Sequence, residues 1–166
     1  MSSPAEAIER RFESALIEAS QKLESLAIIR GRPVSLKGLR GWIFEQTVRT
    51  CLEEELEKRG IAAAITEQAS IGGRATVDLL IGSIAIEIKV AGFFNDVGER
   101  YLSYRKTIEA KGWEYFYLTL SETYMPYREV ARRAFGKERA FFLSEKGEWS
   151  RFIVKVVRIL REKKCS

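Results

Sequence analysis

The sequence predicts an α/β protein built on one mixed sheet with helices on both faces. Three observations carry this. Helical and strand-like stretches follow in the order helix, helix, three strands, helix, strand, helix, strand, helix, the pattern of a layered α/β domain. Two apolar runs, 76–81 and 84–90, meet at Gly82-Ser83, a two-residue hairpin signal. A helical stretch separates the second run from the aromatic run 113–120, so those two strands can lie parallel through a right-handed crossover.

Ser3-Pro4 predicts a helix start, with Ser as N-cap and Pro at the first helical position. Ile8, Phe12, Ala15, Leu16, Ala19, Leu23, Leu26 and Ala27 then form a helical stripe to about residue 30, where Gly31-Arg32-Pro33 ends it. Residues 1–34 therefore read as an N-terminal helix for packing or dimerisation, and 35–166 as the main domain. A second helix runs from Ser35 to about Arg59, closed by Gly60. Trp42, Val48, Leu52 and Leu56 lie within about 60° of Glu45 on it, which puts a carboxylate within the apolar stripe. Either Glu45 reaches out to solvent or pairs with Arg49, or it points at a functional site. Glu53, Glu54, Glu55 and Glu57 read as a solvated face. A first strand is expected over 61–68, a loop at Gly72-Gly73-Arg74, and a loop with Phe93 and Phe94 over 92–98. Then come a helix over 98–111, a strand over 113–120, a helix over 125–135, a short strand over 139–143 and a helix over 149–163.

Composition bounds the chemistry. The 166 residues are 46% hydrophobic and 31% charged, enough for one real core. The net charge of +5 suits a polyanionic partner such as nucleic acid and equally suits an ordinary solvated surface. There is no histidine, so His-based acid–base catalysis, His-ligated zinc and a Ser-His-Asp triad are excluded. Two cysteines, Cys51 in a helix core and Cys165 in the tail, cannot make a four-thiolate site and suit a reducing interior. No run of 18 apolar residues and no signal-peptide pattern is present, so a cytoplasmic protein without a membrane span is expected. One Asn and three Gln beside abundant Glu, Lys and Arg is a bias of thermophile proteins.

The hairpin holds the most informative residues. Folding about Gly82-Ser83 sets Asp78 across from Glu87, and Lys89 shares the face of Glu87. Ile84, Ile86, Ile88 and Val90 take the other face, into a core. Charges inside strand runs are costly unless paired or bound to a metal. Either Lys89 forms a buried salt bridge with Asp78 or Glu87, or the excess negative charge holds a divalent cation.

Asp78 followed by Glu87-Ile88-Lys89 on the next strand resembles the signature of the PD-(D/E)XK nuclease superfamily, the restriction-endonuclease-like fold, with Val77 in place of the family's Pro. The likeness covers about residues 36–120. It implies that Asp78, Glu87 and the backbone carbonyl of Ile88 bind Mg²⁺, with Mn²⁺ as a substitute. It also implies that Glu45 on the preceding helix binds a second ion or a metal-bound water, and that Lys89 orients the attacking water or stabilises the phosphorane charge. RecB-like members carry Gln and, four residues on, Tyr in the following helix; Arg100 stands at the first position here and Tyr104 at the second. Arg74, Arg100, Tyr104, Arg105 and Lys106 are the candidate nucleic-acid contacts, and Arg128, Arg132 and Arg133 form a further basic cluster. The resemblance implies a metal-dependent DNA endonuclease, restriction-like or Holliday-junction-resolvase-like, acting as a homodimer. The alternatives are a catalytically silent nuclease-fold protein that binds DNA or a protein partner, and an accidental pattern on another small α/β protein.

Overall fold

A computed structural model of the chain describes residues 4–21, 36–90, 95–120 and 125–164. The Ser3 cap, the expected helix beyond residue 21, Gly31-Arg32-Pro33, the Ser35 start, Phe93, Phe94 and Cys165 lie outside the described residues.

Among the described residues eleven elements follow one another: α1 (Pro4–Gln21), α2 (Leu36–Lys58), β1 (Ile65–Gly72), β2 (Ala75–Ile81), β3 (Ile84–Lys89), α3 (Asn95–Ala110), β4 (Glu114–Thr119), α4 (Met125–Phe135), a single 3-10 turn (Lys137–Arg139), β5 (Ala140–Phe142) and α5 (Glu148–Lys164). The five strands form one sheet in chain order. β1, β2 and β3 are antiparallel neighbours, while β3–β4 and β4–β5 are parallel. The fold is therefore α/β with a mixed sheet, as expected, and its arrangement is compatible with the restriction-endonuclease-like one.

Helices cover both faces. α1, α2 and α5 pack on one through Phe12, Phe44, Val48, Leu52, Phe152 and Val156, against Leu79, Ile81, Ile84, Ile86 and Ile88 of the sheet. α3 and α4 pack on the other through Tyr101, Ile108, Ala134 and Phe135, against Val77, Ala85, Tyr115 and Tyr117. A strand covered on both faces is apolar along its length rather than alternating, and β3 is buried at every residue except Lys89. α1 is fixed to α2 by the Phe12–Phe44 ring contact at 5.2 Å and by an Arg11–Glu54 ion pair at 2.9 Å. Arg11 also donates to the Cys51 sulfur at 3.3 Å, and Cys51 is buried in that core.

Two expectations are corrected. β1 lies at 65–72, not 61–68. Its register is set by β2, whose last residue, Ile81, faces Ile65, so the chain before Ile65 has no partner strand on that side. In α2 the buried stripe runs through Ile43, Phe44, Val48, Leu52 and Leu56, while Trp42 is 51% exposed. Glu45 thus stands at the border of the stripe and Trp42 beyond it. Thr47 is also buried in the stripe, its hydroxyl satisfied by donation to the Ile43 carbonyl at 2.8 Å.

β5 forms one edge of the sheet, and cations cover its aromatic rings. Arg128 and Arg132 lie 4.8 and 5.3 Å from the Phe142 centroid, and Arg151 and Lys155 lie 4.2 and 6.0 Å from that of Phe141. Two of the three α4 arginines singled out as a basic cluster are thereby engaged. Arg128 also pairs with Glu145 and Arg132 with Glu129, whereas Arg133 is exposed.

Candidate metal centre

The β2–β3 hairpin has the register its turn predicts, Ile81 opposite Ile84, Leu80 opposite Ala85 and Leu79 opposite Ile86. The ladder stops there. Asp78 and Glu87 are not a ladder pair, which corrects the simple extension of the hairpin. Instead the Asp78 carboxylate reaches across and accepts the Ile88 N–H at 2.7 Å. The strands part because β1 and β2 change faces together at this point. Ile65 and Leu79 belong to the α2-side core, whereas Ala69 and Val77, each at an even spacing along its strand, belong to the α3-side core. Gln68 at the break has φ of 47°, the only positive φ of a non-glycine residue among those described.

Around the gap the charged groups meet. The Gln68 amide donates to Glu45 Oε1 at 3.2 Å and to Asp78 Oδ1 at 3.3 Å, so it links the α2 carboxylate to the β2 carboxylate. Glu87 is buried on the α3 side of the sheet. It accepts from Lys89 Nζ at 3.1 Å and Tyr101 Oη at 3.2 Å on Oε1, and from Tyr115 Oη at 3.3 Å on Oε2. In a strand the N–H and C=O of one residue point to the same edge. The Ile88 carbonyl therefore faces the gap that its N–H faces. Arg49 is not the partner of Glu45; it pairs with Glu53 and Glu67.

The electrostatics reflect this crowding. Burial, then the Asp78 charge, push Glu87 up to about 7 against the pull of Lys89 and Tyr101. Burial, then Asp78, raise Glu45 to about 7 as well, with the Gln68 hydrogen bond opposing. Burial alone would lower Lys89, but Glu87 and Asp78 outweigh it and its pKa is raised. Tyr101 and Tyr115 are raised by burial and by the neighbouring Glu87, so both remain protonated donors.

Glu87 and Asp78 thus both act on the Lys89 ammonium, and Gln68 links Asp78 to Glu45. The donor set is hard oxygen with excess negative charge, which is the chemistry Mg²⁺ requires. Among the described residues no three His, Cys, Asp or Glu side chains are placed to hold a metal ion by themselves. Mg²⁺ does not need such a cage, because it keeps several waters and binds through one or two carboxylates and substrate phosphate. Glu87 accepts three of the roughly four hydrogen bonds a carboxylate can take, which leaves room for one more interaction.

The candidate nucleic-acid residues divide. Arg74, Arg100 and Lys106 are exposed and Tyr104 is half-buried. Arg105 is committed to Glu109 at 2.7 Å and to the Ala134 carbonyl at 3.3 Å, where it ties α3 to α4. Sequence reasoning missed the site roles of Gln68, Tyr101 and Tyr115. The one usable signal was the Tyr115/Tyr117 alternation in β4, which puts two hydroxyls on one face beside the Glu87 strand. Among the described residues no helix is long and apolar enough to cross a membrane. Comparison with family models, with curated proteins and with solved structures finds no match to this chain.

Proposed function

We propose that this protein is a Mg²⁺-dependent DNA endonuclease of the PD-(D/E)XK kind. One observation carries the reading: where the β2–β3 ladder ends, Asp78, Glu87 and Lys89 stand together, and Gln68 joins Glu45 of α2 to Asp78. Asp78, Glu87 and the Ile88 carbonyl would hold the cation, and Glu45 a second ion or a bound water. When bound, the cation supplies charge neutralisation at phosphorus and a nucleophilic water at neutral pH. Lys89 is held by Glu87 and would orient the attacking water and offset charge that builds on the phosphoryl oxygens. Asp78 braces the open strand end through the Ile88 N–H. Tyr101 and Tyr115 hold Glu87 from the α3 side. Arg74, Arg100 and Lys106 supply phosphate neutralisation. A homodimer in the cytoplasm fits an enzyme that must cut two strands, and sedimentation with and without DNA tests the oligomeric state.

The experiment is incubation of the purified protein with plasmid, branched and single-stranded DNA plus Mg²⁺ or Mn²⁺. Metal-dependent cleavage that disappears in Asp78→Ala and Glu87→Ala supports the proposal; no cleavage of any substrate ends it. A second reading has its own observation. Three internal donors satisfy Glu87, as they would in a structural network, so the chain can be a silent nuclease fold that binds DNA or a protein. Tight, salt-sensitive DNA binding without cleavage favours that reading.

A further inference from the structure

The Gln68 amide nitrogen sits where two carboxylates meet. Its two hydrogens reach one oxygen of Glu45 and one of Asp78. A cation entering between those oxygens would face N–H hydrogens, so the amide cannot stay as it is once a metal binds. It must either leave or turn. Leaving is opposed by the backbone: β1 is held on both sides, Glu67 opposite Leu79 and Ala69 opposite Val77, and Gln68 between them is fixed at φ 47°. Turning needs only a half-rotation of the last side-chain torsion, which is soft and roughly two-fold. That rotation puts Oε1 where Nε2 was. A side-chain amide oxygen is a hard ligand of the type that Mg²⁺ and Mn²⁺ accept.

We propose that Gln68 is a further oxygen ligand of a cation held between Asp78 and Glu45, switching from hydrogen-bond donor to metal ligand as the ion enters. The inference rests on the metal reading above and adds a residue from β1 that the D…ExK pattern does not contain.

Manganese titration by isothermal calorimetry, without nucleic acid, tests it on the full chain. Wild type should bind Mn²⁺ and Asp78→Asn should not. Gln68→Ala keeps a Cβ, so the backbone conformation is equally strained, and it should bind on the order of tenfold more weakly or worse. Gln68→Glu offers an acceptor oxygen and no N–H, and should bind at least as tightly as wild type. Gln68→Met keeps the length without either amide atom and should lose as much affinity as Gln68→Ala. A Gln68→Glu protein that binds as weakly as Gln68→Ala would reduce the amide to a bridge between carboxylates and overturn the proposal. Wild-type affinity in Gln68→Ala or Gln68→Met overturns it too, whether or not Gln68→Glu folds. Those failures leave the Asp78-dependent metal site standing; absence of any Mn²⁺ binding by wild type removes the site and this ligand together.

Discussion

The two ends of the β2–β3 hairpin obey opposite rules. At the turn end, Leu79, Ile81, Ile84 and Ile86 are wholly buried and regularly paired, and Gly82 turns the chain with φ of 56°. A Cβ there would come within 3.1 Å of Leu160 of α5, so the turn is packed as well as tight. At the open end the ladder gives way to a side chain: Asp78 accepts the Ile88 N–H that a regular β2 backbone would have taken. Glu87 and Lys89 follow on the same strand, with a carboxylate buried at 6% exposure. One short hairpin thus serves two ends at once. The apolar end supplies rigidity, and that rigidity is what keeps costly charges close together at the other.

The sharpest way to break the contrast is at Asp78. Asp78→Asn keeps an acceptor for the Ile88 N–H and removes the charge. Single-turnover cleavage should fall on the order of a thousandfold while the melting temperature stays near that of wild type. Parallel losses of both would show that the two ends are not separable. Leu79→Ala attacks the other end. It should cost about 2–5 kcal/mol in denaturant unfolding and leave the specific activity of the folded fraction unchanged.

A pH series of the metal-free protein comes next. Glu45 and Glu87 favour their neutral forms in the fold, each raised to about 7 from 4.5. Between those values the folded chain holds more protons than the unfolded one, so their stabilising contribution is complete below about 4.5 and is lost as pH rises through about 7. The absence of histidine keeps this window nearly free of other titrations. The melting temperature should therefore decline from pH 5 to pH 8, with a flatter decline in Glu87→Gln; a rise over the interval would contradict the burial of Glu87. The smallest effect is expected from Tyr101→Phe, which removes one of three donors to Glu87 and should cost about 1 kcal/mol in thermal or denaturant melts.

Much of the architecture was legible because its determinants are local. Gly82-Ser83 fixes the hairpin, and the helical stretch before Trp113 fixes the parallel crossover. The start of β1 was not legible, since no Gly, Pro or other breaker separates Ile61–Ala64 from Ile65 and the pairing with β2 decides where the strand begins. The charged residues of the site could be picked out because Asp78, Glu87 and Lys89 interrupt apolar runs. Their partners could not. Whether the Tyr101 hydroxyl finds Glu87 depends on how α3 packs on the sheet, that of Tyr115 depends on the β3–β4 register, and Gln68 acquires its place from a backbone conformation that no residue pattern announces. Glu45 shows the intermediate case: its helix and its place beside Leu52 and Leu56 were clear, but Trp42, counted in the same stripe, is exposed.

The cations stacked over β5 have a consequence for assembly. A strand at the rim of a sheet offers unpaired backbone groups to any neighbouring chain, and short length and positive side chains are how such rims are blunted. β5 is three residues long, and Arg128, Arg132, Arg151 and Lys155 crowd its rings. A second polypeptide attempting to extend the sheet there would meet only three residues of strand, flanked by four ion-paired cationic side chains, so that rim is a poor template for strand addition.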